Sequence, residues 1–112
     1  VTVYRSEGFL DTVQVILSGT SPTPIFTASD VGNNGLIIDS VRLVNTTGGS
    51  LNVALDRHDG TTAFVLYPST ALAAAGVVQL ETPWLLRRAW NLRVTGAAGI
   101  HVTVSFLRPF GS

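Results

Sequence analysis

Apolar and polar residues alternate along most of this chain, most clearly from Gly35 to Arg57. Leu51, Val53 and Leu55 alternate with Asn52, Ala54 and Asp56, while Val41 and Leu43 alternate with Ser40 and Arg42. A period of two sends successive side chains to opposite faces, which is the pattern of a strand with one dry side. Between the two runs lie Asn45, Thr46, Thr47, Gly48, Gly49 and Ser50, all turn-forming types. The spacing predicts a β-hairpin over Gly35 to Arg57, with a loop longer than the two-residue minimum. The alternation returns near the end, where Ile100, Val102, Val104 and Phe106 are interleaved with His101, Thr103 and Ser105. Val102, Val104 and Phe106, together with Leu51, Val53 and Leu55, are the expected core.

The rest of the chain reads in the same way. Val1 to Gly8 reads as a short edge strand or an extended arm. Phe9 to Leu17 predicts a strand with Val13, Val15 and Leu17 on one face. Ser18 to Pro24 is a proline-punctuated loop, Ile25 to Ala28 a short strand, and Ser29 to Gly35 a turn cluster. His58, Asp59 and Gly60 form a turn, since Asp-Gly is a strong hairpin dipeptide. Thr61 to Tyr67 is β-branched and aromatic, and Pro68 is expected to stop it. Ser69 to Ala75 has helical propensity but is too short for a stable helix, so one turn or a loop is expected. Val77 to Glu81, Trp84 to Arg88 and Ala89 to Thr95 predict further strands, and Gly96 to Gly99 a turn. Short strands separated by turns about every 8–12 residues indicate an all-β, antiparallel β-sandwich, with jelly-roll connections among the forms it takes.

Composition narrows this picture. A chain of 112 residues is one domain, large enough to bury a core without staples. Cysteine is absent, which removes disulfides and thiolate metal sites. Only 12% of residues are charged and the formal net charge is zero, so little repulsion opposes self-association. All the basic residues are arginines. No apolar run reaches the roughly 20 residues needed to span a bilayer, so no membrane association is expected. No leader peptide is expected either, because no charged segment followed by an apolar one opens the chain. A net charge of zero and the lack of a basic stripe argue against nucleic acid as a partner.

No catalytic, cofactor-binding or metal-binding constellation is read from the sequence. Asp56, Arg57, His58 and Asp59 cluster at a turn, where a solvated hairpin tip accounts for them better than a metal site. His101 with Asp39 and a serine lacks the context of a nucleophile elbow. Gly32 to Gly35 is not a phosphate loop, for no lysine or helix follows. The most unusual stretch is Trp84, Leu85, Leu86, Arg87, Arg88, Ala89 and Trp90. Tryptophan and arginine dominate interface energetics, and tryptophan also packs cores. Tyr4, Arg5, Trp84, Arg87 and Arg88 are therefore the expected contact residues, with VTVYRSEG an arm that adds a strand to a neighbour's sheet edge.

The order of elements carries a resemblance. Val41, Leu43, Asn45 and Thr46 fit a strand of the type V-x-V-x-N-T, and Leu92, Val94, Gly96, Val102, Val104 and Ser105 fit a closing hairpin. Over residues 24–108 the chain resembles the small β-sandwich structural proteins of tailed-bacteriophage virions, of the capsid decoration or cement type. The resemblance implies a non-enzymatic virion protein made in the host cytoplasm and placed on the capsid surface. It would bind the major capsid protein or another virion protein as a homo-oligomer, with a trimer one form. A tail or fibre component, or a carbohydrate- or receptor-binding module using aromatics near Trp84 and Tyr67, is the alternative. Residues 1–23 have no counterpart in the pattern and form an N-terminal arm and first-strand region ahead of a sandwich over 24–112.

Overall fold

The computed structural model describes residues 11–81 and 83–108. Nine strands and one helical turn follow in order: β1 (Asp11–Ile16), β2 (Thr23–Phe26), α1 (Ala28–Val31), β3 (Leu36–Asn45), β4 (Leu51–His58), β5 (Ala63–Leu72), β6 (Val77–Leu80), β7 (Trp84–Leu86), β8 (Asn91–Thr95) and β9 (Ile100–Leu107). They form two antiparallel sheets. One has the order β1-β9-β3-β6 with β7 also on β3, and the other is β2-β8-β4-β5. The strand β6 and the strand β7 lie along one edge of β3. Val41 faces Leu80 and Ile38 faces Trp84, so four steps on the edge match three on β3. Together they fill the place of one edge strand. Counted so, eight strands pair as first with last, second with seventh, third with sixth and fourth with fifth, which is the nested connectivity of a jelly roll.

The core lies between the sheets, on the faces that the alternation marks as dry. Val13, Val41, Leu43, Val102, Val104 and Phe106 line the first sheet, and Val53, Leu55, Leu92 and Val94 the second; all are buried. Leu51 is half-buried at the margin. Phe26 and Phe106 meet edge to face across the core, their centroids 5.0 Å apart. Residues 11–17 are integral to the sandwich. All six residues of β1 pair with β9, Leu17 is buried, and residue 24 falls inside β2.

Several elements differ from the expectation. Gly35 to Arg57 is not a hairpin, because β3 and β4 belong to different sheets. The turn 45–50 arches across the core, and both edges of β3 are occupied by β9 and by β6 with β7. The closing segment is likewise an arch, with β8 in one sheet and β9 in the other. Pro68 does not end its strand; β5 runs on to Leu72, absorbing most of the stretch expected to turn or coil. Proline is tolerated because β5 is an edge strand whose register against β4 shifts between Val53/Thr70 and Leu55/Tyr67. The cluster 29–35 contains one helical turn, started by a capping box in which the Thr27 amide donates to Asp30 Oδ2 at 3.0 Å.

The two ends of the sandwich are built differently. At one end the arches are laced together. The Asn45 amide donates to the Gly76 carbonyl, and the Thr46 amide and hydroxyl both donate to the Gly99 carbonyl. Gly99 has φ +97°, and a Cβ there would stand 2.6 Å from Thr47 Cγ2, so glycine is required. The opposite end gathers α1, the β4–β5 hairpin turn, the turn after β7 and Arg108. Arg108 donates from both Nη1 and Nη2 to the Asp30 carbonyl, at 3.3 Å each.

Candidate interaction surface

The inward series Val53, Leu55 on β4 continues to Arg57, opposite the buried Leu92 of β8. Arginine rather than an aliphatic residue stands there because the space between the sheets opens toward solvent. Its guanidinium carbon lies 5.2 Å from the Trp90 ring centroid, and Nη1 reaches across to donate to the Leu85 carbonyl of the other sheet at 3.2 Å. Phe64, paired with Arg57 across the hairpin, stacks on Trp90 at 5.4 Å with 19° between the ring planes. Contacts of this kind contribute about 0.5–1 kcal/mol each at exposed sites. Trp90 packs against the core and remains half-buried, while Phe64 is 43% exposed.

A tight turn delivers Trp90 to this position. Its amide donates to the Arg87 carbonyl at 3.1 Å, and Ala89 has φ +68°. A positive φ at the third residue alone is the signature of a type II turn. The turn leaves Arg87 and Arg88 exposed at its tip, beside the exposed Leu85.

Of the expected contact residues, Trp84, Arg87 and Arg88 lie on this segment. Trp84 faces inward opposite Ile38 and packs on the margin of the core, half-buried, so its ring is shared between core and surface. Tyr4 and Arg5, with the expected arm, lie outside the described residues. Tyr67, the other candidate aromatic, is half-buried against the core. Sequence reasoning missed Arg57 and Phe64. A signal for them existed, because a hairpin closed at Asp59-Gly60 brings the residues on either side of it face to face.

The polar cluster at the hairpin tip is engaged locally. Asp56 is paired with Arg93 at 2.9 Å on the outer side of the sheet. His58 Nδ1 accepts from the Gly60 amide at 3.0 Å. Asp59 accepts from the Thr61 and Thr62 amides at 2.9 and 2.7 Å. The Thr62 amide first, then that of Thr61, holds the Asp59 carboxyl below its ordinary value of 3.8. Among the described residues, no group of three or more histidine and carboxylate side chains comes together to hold a metal. His101 pairs with Val44, which is five residues from Asp39 along β3, about 16 Å at the usual strand rise. The two are therefore not brought together. Compared with known proteins, the chain matches no protein-family model and no curated protein.

Proposed function

We propose that this chain is a structural component of a virion, a capsid decoration or cement protein that binds the head shell in several copies. The observation that carries the reading is the open end of the sandwich, where Phe64, Leu85, Arg87 and Arg88 are exposed around the half-buried Trp90. Aromatic and arginine side chains on one rigid scaffold are the types that anchor protein interfaces. The low charge of the chain and its resemblance to small phage sandwich proteins point the same way. Jelly-roll connectivity is compatible with this role but does not assign it, since one fold hosts many functions.

The test is to purify particles made with and without this gene product and to image both. The expected result is added density on the shell at a copy number fixed by the lattice, lost or weakened by Arg87→Ala with Arg88→Ala. Absence of the protein from purified particles would overturn the proposal. The stacked Phe64–Trp90 pair favours a second reading, a carbohydrate-binding module. Glycan binding by the isolated chain, abolished by Phe64→Ala, would select it instead.

A further inference from the structure

The outer face of the five-stranded sheet is a surface of a different kind. The strand registers arrange its side chains in rows. Ile16, His101, Val44 and Val77 stand abreast at the laced end. Gln14, Thr103, Arg42 and Gln79 form the next row, then Thr12, Ser105 and Ser40. Leu107, Ile37 and Leu85 close the face at the open end. Rows that are apolar but for His101 thus frame a polar middle whose charged groups are Arg42, Glu81 and Asp39, the last at the bulge of β3. Arg42 Nη1 donates to Gln79, whose Nε2 donates to the Glu81 carboxylate, so the cation sits in a chain ended by an anion. Four of the six exposed large apolar residues among those described lie on this face: Ile16 at 64%, Leu85 at 49%, Val77 at 46% and Ile37 at 37%. The outer face of the other sheet differs, for it carries the Asp56–Arg93 ion pair.

We infer that two copies of this chain associate through this face, sheet on sheet, about a two-fold axis lying between them. A two-fold contact sets the same patch against itself, so any strong charge on it meets its like. This face carries few charges, Arg42 joined to Glu81 through Gln79 and Asp39 at the bulge of β3, and the whole chain has a formal net charge of zero. With apolar rows at both ends, a two-fold along the strands and one across them each lay apolar rows on apolar rows. The area suffices. The eight residues of β9 span about 26 Å, and four strand positions about 19 Å, giving a footprint of roughly 500 Å² per copy. The total of about 1,000 Å² is at the lower limit for a specific interface. A depression of about 320 Å³ lined by Gln14, Ile16, His101 and Thr103 offers room for a partner's aliphatic side chain. The inference goes beyond the virion reading and does not rest on it, since it concerns the isolated chain.

Sedimentation velocity on the full chain, from about 1 µM to about 1 mM, tests it, the range suited to an interface of this size. A monomer–dimer equilibrium is expected. Leu85→Asp and Val77→Asp, one in each apolar row, should each weaken the dimer at least tenfold. Val65→Asp, on the outer face of the other sheet, should leave it unchanged. Circular dichroism of each variant should match the wild type; if an aspartate variant unfolds, the serine substitution at that position serves for the same comparison. A chain that stays monomeric throughout overturns the inference. So does a trimer, which needs two different patches, or a dimer indifferent to both face substitutions.

Discussion

The side chain of Asn45 is fully buried and every polar atom in it is used. Nδ2 donates to the carbonyls of Gly49, Leu72 and Ala73, at 2.8, 3.0 and 3.2 Å. Oδ1 accepts from the Thr47 amide at 2.9 Å and from its hydroxyl at 2.6 Å. One amide therefore shapes the arch after β3 and ties it to the end of β5. In the sequence, Asn45 opens a run of turn residues and reads as one of them. Nothing there says that its side chain points inward, because its partners at Leu72 and Ala73 are 27 and 28 residues away. Asn45→Ala should cost about 2–4 kcal/mol, since it strands buried donors and acceptors that water cannot reach. Urea unfolding measures this, and a loss below about 1 kcal/mol would show that the arch holds without the amide.

At the scale of elements, alternation told which side of each strand is dry. It did not tell where the next strand lies. Val41 and Leu43 face the core, as do Val53 and Leu55, and this holds equally for a hairpin and for an arch across the core. The strand pattern is therefore legible in the sequence, while the placement of β3 and β4, and of β8 and β9, in different sheets is not. The β4–β5 hairpin was legible, because Asp59 and Gly60 specify their turn chemically. The end of β5 was not, since a proline stops a central strand but not a bulged edge. Of the candidate surface, the Trp84–Trp90 stretch stood out by residue type, yet the inward direction of Trp84 follows only from its register with Ile38. The turn that places Trp90 contains a strained alanine, with Ala89 at φ +68°. Glycine removes a left-handed penalty of about 1–2 kcal/mol at the expense of about 0.5–1 kcal/mol in chain entropy. Ala89→Gly should thus stabilise the fold by roughly 0.5–1 kcal/mol. Thermal unfolding would read a small rise in Tm, and a fall would mean that the turn gains nothing from relief at that position.

Over the whole molecule, the two sheets are joined by packing between their inner faces. Phe106 is central to this: it is fully buried on β9 and meets Phe26 of the other sheet edge to face. Phe106→Ala removes a large ring from a site lined by strands on both sides, which cannot collapse to fill it. The expected cost is about 3–5 kcal/mol, a large part of the 5–15 kcal/mol that holds a typical domain together. Chemical denaturation checks this, and a loss under about 1 kcal/mol would show that the sheets close over the gap.

The nested pairing also governs the order in which the molecule comes into being. Among the described residues, β4 and β5 are the only consecutive strands that pair with each other, joined by the four residues between His58 and Ala63. Every other pairing among the described strands joins an earlier strand to a distant later one: β3 to β6, β7 and β9, β4 and β2 to β8, and β1 to β9. During synthesis the first three strands emerge from the ribosome with no ladder partner yet made. Loop-closure entropy delays such distant pairings, so folding starts in the middle of the chain and proceeds outward. Until β9 arrives, β1 and β3 lack the strand that lies between them, and their dry sides are open to any other chain nearby.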